Sequence, residues 1–160
     1  MPKTTKLFYS IIIGTFLSDR LSKYFLIKNF SYKILYPVIP GLNIFFTKNH
    51  GAAFGFLSSY GGWQRWLLIT SSVSICALLF WWLKKNRVSL LEYYAFALII
   101  GGALGNLYDR IFYGYVIDFI DFYIANMHWY TFNLADSAVC LGALAIFFGQ
   151  AKINDNFLEK

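Results

Sequence analysis

Apolar residues gather along this chain in four stretches, residues 7–27, 66–83, 93–112 and 134–150, separated by mixed or polar segments. A helix needs about 20 apolar residues to cross a hydrocarbon core at 1.5 Å rise per residue, so the pattern predicts four transmembrane helices. The second stretch is the cleanest, with Trp66, Trp81 and Trp82 where interfacial aromatics belong. The first, third and fourth carry polar groups, whose faces are expected to look into a bundle interior or a watery cavity. In the long connection after the first stretch, residues 43–47 and 52–57 are short apolar runs bracketed by Gly, Asn and Pro, which fits two or three short strands on the membrane surface. Tyr60-Gly61-Gly62 then breaks the chain before Trp63 and Trp66. No repeat or linker divides the sequence, and a single domain over 1–160 is expected.

Composition supports the membrane reading, because 58% hydrophobic and 21% aromatic residues exceed what soluble domains carry. The net charge of +6 does not indicate nucleic acid, since Lys and Arg flank the apolar runs in small groups and form no continuous basic face. They read as topogenic charges in contact with anionic lipid. Lys3, Lys6, Lys84, Lys85, Arg87, Lys152 and Lys160 fall on one side, against Lys28, Lys33, Lys48, Arg65 and Arg110 on the other. Both termini are therefore expected in the cytoplasm, with the connections 28–65 and 113–133 outside. Cys76 and Cys140 read as small buried hydrophobes. Asp19, Arg20 and Lys23 interrupt the first stretch, which is expected to be a retained helix and not a cleaved signal peptide.

Five of the eight acidic residues, Asp19, Asp109, Asp118, Asp121 and Asp136, lie inside or at the edge of these apolar segments. A carboxylate at the centre of a bilayer helix costs roughly 2.5–3.5 kcal/mol on insertion scales, so each needs a partner or a function. Asp19 and Lys23 are four residues apart and share a helix face, which suits either an intrahelical ion pair or substrate binding. Gly102, Asn106 and Arg110 recur every four residues on one face, while Gly101 and Gly105 form a small-x-x-x-small pair that permits close helix approach. An amide and a guanidinium on that stripe suit holding substrate backbone or orienting a carboxylate. Asp109 projects away from it and reads as structural.

Asp118 sits among Val116, Ile117, Phe119 and Ile120, an environment that raises a carboxyl pKa by desolvation. Asn133 and Asp136 have the spacing of a capping box at the start of the fourth helix. Asp118 and Asp136 fall on the same side of the membrane at similar depth. Two carboxylates that share a proton divide into an acid and a base, able to activate a water for attack on an amide. Sequence spacing does not establish that closeness. His50 and His128 belong to no metal-binding motif, and no serine elbow, Cys/His set or phosphate loop is present.

Together these residues resemble the lipoprotein signal peptidases (signal peptidase II). The resemblance rests on Asp19-x-x-x-Lys23, Asn49-His50-Gly51-Ala52-Ala53-Phe54-Gly55, Gly101 through Arg110, Gly114-Tyr115-Val116-Ile117-Asp118-Phe119 and Phe132-Asn133-Leu134-Ala135-Asp136-Ser137, in order along nearly the whole chain. It implies a catalytic dyad of Asp118 and Asp136, with Asp19, Lys23, Asn49, Gly102, Asn106, Arg110 and Asn133 shaping the site and holding substrate. It also implies a four-transmembrane-helix bundle with a small extracytoplasmic β-sheet cradle and an interfacial helix, in the bacterial inner membrane. The implied substrate is a diacylglyceryl-modified prolipoprotein cut just before the lipidated cysteine by a monomer that needs no metal or organic cofactor. The chain departs from the pattern at Trp129-Tyr130-Thr131, where many relatives have a proline nearby. From another class, a small proton- or ion-conducting protein would use the same aspartates as a relay.

Overall fold

The structure, a computed structural model, describes residues 3–51 and 62–158. Four helices, α1 (Lys3–Asn29), α2 (Trp63–Lys85), α3 (Leu90–Phe112) and α4 (Leu134–Leu158), overrun the four apolar stretches by a few residues. α3 is central and packs against the other three. By length and composition α2 and α3 are each able to cross a membrane. On α2 only Gln64 and Cys76 are buried, while Trp66, Leu78 and Trp81 are exposed. An apolar surface of that extent marks a lipid-facing helix.

Close helix approach is built on α3's small residues, as the sequence predicts. A Cβ on Gly101 would lie 2.9 Å from the Ile12 carbonyl of α1, and one on Gly102 would lie 2.4 Å from the Ala135 carbonyl of α4. The two glycines therefore seat α3 against different neighbours. Ser89 caps α3 with a complete capping box to Glu92. Phe8, Ile12, Cys76, Ala97 and Ile100 fill the space between α1, α2 and α3.

Above the helices lies a four-stranded antiparallel sheet of β1 (Leu35–Ile39), β2 (Leu42–Asn49), β3 (Val116–Ile124) and β4 (Met127–His128), in that order. Leu26 at the end of α1, Phe46 and Ile117 pack it onto the bundle. The expected strand at 43–47 is part of β2, whereas the one at 52–57 and the break at Tyr60-Gly61 lie outside the described residues. β3 and β4 were not expected, because Asp118 and Asp121 interrupt the apolar alternation that signals a strand. No helix beyond α1–α4 occurs among the described residues, so the interfacial helix is not among them. Gly62, at the N-cap of α2, has φ +94°, a conformation suited to glycine.

One irregularity in the sheet matters for the site. β2 carries one extra residue between Ile44 and Thr47 relative to β3, a bulge that switches which face its later side chains occupy. Asn43 and Asn49 are an even number of residues apart, yet Asn43 donates to Asp121 at 2.7 Å and Asn49 to Asp118 at 3.1 Å. Those two aspartates, three residues apart on β3, point to opposite faces. The bulge allows one strand to serve both.

Candidate active site

Asp118 and Asp136 line the same cavity, about 730 Å³, between α3, α4 and the segment 129–132, with Ser72 of α2 at its edge. Its polar end is formed by Asn49, Asn106, Arg110 and the two carboxylates, and its apolar end by Ala103, Val139 and Leu141. Asp118 comes from β3 and is buried. Asp136 comes from the first turn of α4, where the helix N-terminus favours negative charge.

Asn133 joins the pair. Its carbonyl oxygen accepts the Asp136 backbone N–H at 2.9 Å, and its own backbone N–H donates to Asp136 Oδ2 at 3.2 Å. That is the expected capping box. With its oxygen so used, the amide NH2 is directed at Asp118 Oδ1, at 2.6 Å. Capping and site-building are therefore not competing explanations of Asn133.

Asn106 is fixed by similar logic. The Lys23 ammonium donates to its carbonyl oxygen at 3.2 Å, leaving its NH2 to donate to Asp136 Oδ1 at 2.7 Å. Each carboxylate thus rests on neutral amides: Asn49 and Asn133 for Asp118, and Asn106 with the Asn133 backbone for Asp136. Among the described residues neither has a cation within ion-pair distance. Burial, and then the neighbouring Asp136 charge, push the Asp118 carboxyl up to about 7, against the lesser pull of the Asn49 and Asn133 amides.

The other site residues predicted from sequence divide into two groups. Arg110 lines the cavity and donates to the Gly51 carbonyl at 3.0 Å, while Gly102 sets the α3–α4 contact beneath it. Asp19 and Lys23 do pair, at 2.8 Å, but lie outside the cavity wall. They belong to a buried cluster in which Lys23 also meets Asp109 at 2.8 Å and Arg20 pairs with Asp109. Asp19 instead accepts the Ala135 N–H at 3.1 Å and so ties α1 to the start of α4. Arg20 was noted from sequence only as a polar interruption of the first apolar stretch and was given no role in the site. Arg65 was read only as a flanking charge, yet it donates to the Arg110 and Ile111 carbonyls at 2.8 and 2.9 Å, closing the end of α3.

One expectation changes. Cys140 is exposed and not buried, because its position on α4 faces the cavity one turn below Asp136. Of the two histidines outside any metal motif, His128 contacts Asp121 at 2.9 Å and His50 lies beside the Tyr115 ring. Among the described residues no three His, Cys, Asp or Glu side chains gather.

Lipid-facing helices around a cavity that buries two carboxylates, under a small sheet, define a membrane enzyme. The chain belongs to the Signal peptidase (SPase) II family, whose model matches residues 11–151, and it is accordingly a membrane peptidase. A lipoprotein signal peptidase of Shewanella baltica (strain OS195) is 47% identical over 139 residues, covering 86% of this chain and 81% of the relative. One from Salmonella newport (strain SL254) is 44% identical over 137 residues, covering 85% and 82%. A bacterial membrane enzyme solved by the in meso method at 2.3 Å resolution matches with TM-score 0.85 at 30% identity, covering 94% of this chain and 91% of its own.

Proposed function

We propose that this chain is an aspartic endopeptidase that removes signal peptides from diacylglyceryl-modified bacterial prolipoproteins, cutting immediately before the lipidated cysteine. The observation that carries the reading is the pair of buried carboxylates, Asp118 and Asp136, on one cavity wall and joined by Asn133. Such a pair titrates as a unit and holds one proton near neutral pH. The ionised partner takes a proton from water as its oxygen bonds to the scissile carbonyl carbon. The protonated partner then donates to the amide nitrogen as the C–N bond breaks.

The cavity's division into polar and apolar ends supports a lipid-bearing substrate, with the peptide bond at the carboxylates and the acyl chains along Ala103, Val139 and Leu141. All four helices span the inner membrane in this reading. Both termini are cytoplasmic, the sheet and dyad are extracytoplasmic, and the protein works as a monomer in contact with membrane lipids. Asn49, Asn106, Arg110 and Asn133 orient the carboxylates and substrate, Gly102 admits α4, and Asp19 with Lys23 supports them. No metal takes part.

The test is cleavage of a diacylglyceryl-modified lipobox peptide by detergent-purified protein with a chelator throughout. Wild type is expected to cut on the N-terminal side of the modified cysteine, and Asp118→Asn and Asp136→Asn are expected not to cut. Chelator-sensitive cleavage, or retained turnover in either variant, rejects the assignment.

A further inference from the structure

We infer that Asp109, with Arg20 as its counter-ion, is a positioning residue that aligns both carboxylates of the dyad. This rests on the dyad proposed above. The Asp109 side chain is fully buried near the end of α3, and neither it nor Arg20 lines the cavity, so any effect on the reaction must pass through other groups. Arg20 takes one carboxylate oxygen of Asp109. The other oxygen, Oδ2, accepts two donors that lead in different directions: Lys23 Nζ at 2.8 Å and the Ile117 backbone N–H at 3.2 Å.

The first direction runs through a side-chain amide. An ammonium only donates, so Lys23, held by Asp109 and Asp19, obliges Asn106 to present its carbonyl oxygen to Lys23 and its NH2 to Asp136. Asn133 Nδ2 also donates to that oxygen, at 3.1 Å, so Lys23 is one of two donors that hold the Asn106 amide in this orientation, and its withdrawal would leave the weaker neutral one. The second direction runs through the backbone. Ile117 immediately precedes Asp118, and its carbonyl accepts from Asn133 Nδ2 at 3.3 Å. Fixing its N–H fixes where β3 begins and where the Asp118 side chain leaves the strand. One carboxylate thus sets Asp136 through Lys23 and Asn106, and Asp118 through a single peptide unit. Arg20, only 15% exposed and packed 4.3 Å from the Tyr108 ring centroid, anchors the other oxygen of Asp109 and so holds the carboxylate in place for both tasks.

The experiment uses the full chain in detergent with the lipobox peptide. Asp109→Glu preserves the cluster's charge but moves the carboxylate by one methylene, and kcat is expected to fall about ten- to a hundredfold with KM within about twofold of wild type. Charged groups around the dyad are Asp19, Arg20 and Lys23 of α1 and Asp109 and Arg110 of α3. Asp109→Asn leaves the Lys23 charge less compensated and is expected to move the alkaline limb of the kcat profile to lower pH. Arg20→Gln removes a cation and is expected to move it to higher pH. Shifts of opposite sign from the two halves of one ion pair are not what a merely structural role produces.

Wild-type kcat in folded Asp109→Glu, limbs that stay put or move together, or failure of all three variants to fold would overturn the inference. Loss of the dyad reading is recognised separately, by an inactive wild type or an active Asp118→Asn. In that event the Asp118 carboxyl infrared band, isolated by difference against Asp118→Asn and titrated in each variant, still reports whether the opposite shifts occur.

Discussion

Two buried polar clusters lie side by side in this protein and solve the problem of an aspartate inside an apolar bundle in opposite ways. In one, Asp19 and Asp109 meet Arg20 and Lys23, so two negative charges are matched by two positive ones. In the other, Asp118 and Asp136 are met by the amides of Asn49, Asn106 and Asn133. Amides supply directed donors without a full countercharge. The first arrangement meets its carboxylates with full countercharges, whereas the second leaves Asp118, pushed up to about 7 by burial and by Asp136, without one. In the proposed mechanism, that missing countercharge is what lets a carboxyl carry a proton.

The comparison is broken most severely by neutralising the dyad. Asp118→Asn or Asp136→Asn is expected to lower turnover at least about a thousandfold, the upper range of acid–base contributions, while the protein still accumulates and melts normally. Neutralising the other cluster should show first in stability. Lys23→Met leaves Asp19 and Asp109 short of a partner and is expected to cost about 3–5 kcal/mol of stability, read as lost accumulation or a lowered melting temperature in detergent. An equally stable Lys23→Met would erase the distinction.

A smaller effect tests the seam between them. Gly102→Ala places a methyl 2.4 Å from the Ala135 carbonyl, so α4 must shift and carry Asp136 with it. A cost of about 1–3 kcal/mol is expected, with a loss of kcat larger than that stability loss alone explains. The finest test is of pH. Activity is expected to decline as pH rises through about 7 and the pair loses its shared proton. Asn49→Ala removes a donor that favours ionised Asp118, so the decline should move to higher pH. Stability follows the same sign: the folded-state pKa is raised, so the contribution is full below the ordinary carboxyl range and is lost as pH climbs through about 7.

How much of this was legible in the sequence follows the range of the interactions. The four helices, the Gly101/Gly105 approach, the Asp19–Lys23 pair and the Asn133–Asp136 cap are set by residues within one or two turns of each other, and their spacing states them. The β3 strand was not legible, because Asp118 and Asp121 break the apolar alternation that would announce it. Nor was Arg20, whose partner lies 89 residues away in the chain. Asp109 was seen as structural from its angle to the glycine stripe, but the Ile117 N–H it holds comes from a strand that had not been foreseen. Nearness of Asp118 to Asp136 depended on Asn133 spending its oxygen on a helix cap and its nitrogen on a strand, a fact of three dimensions.

That double use of Asn133 ties the start of a helix to a distant strand: one side chain caps α4 and also reaches Asp118 on β3. A change at this single position would therefore loosen the first turn of α4 and part the two carboxylates together.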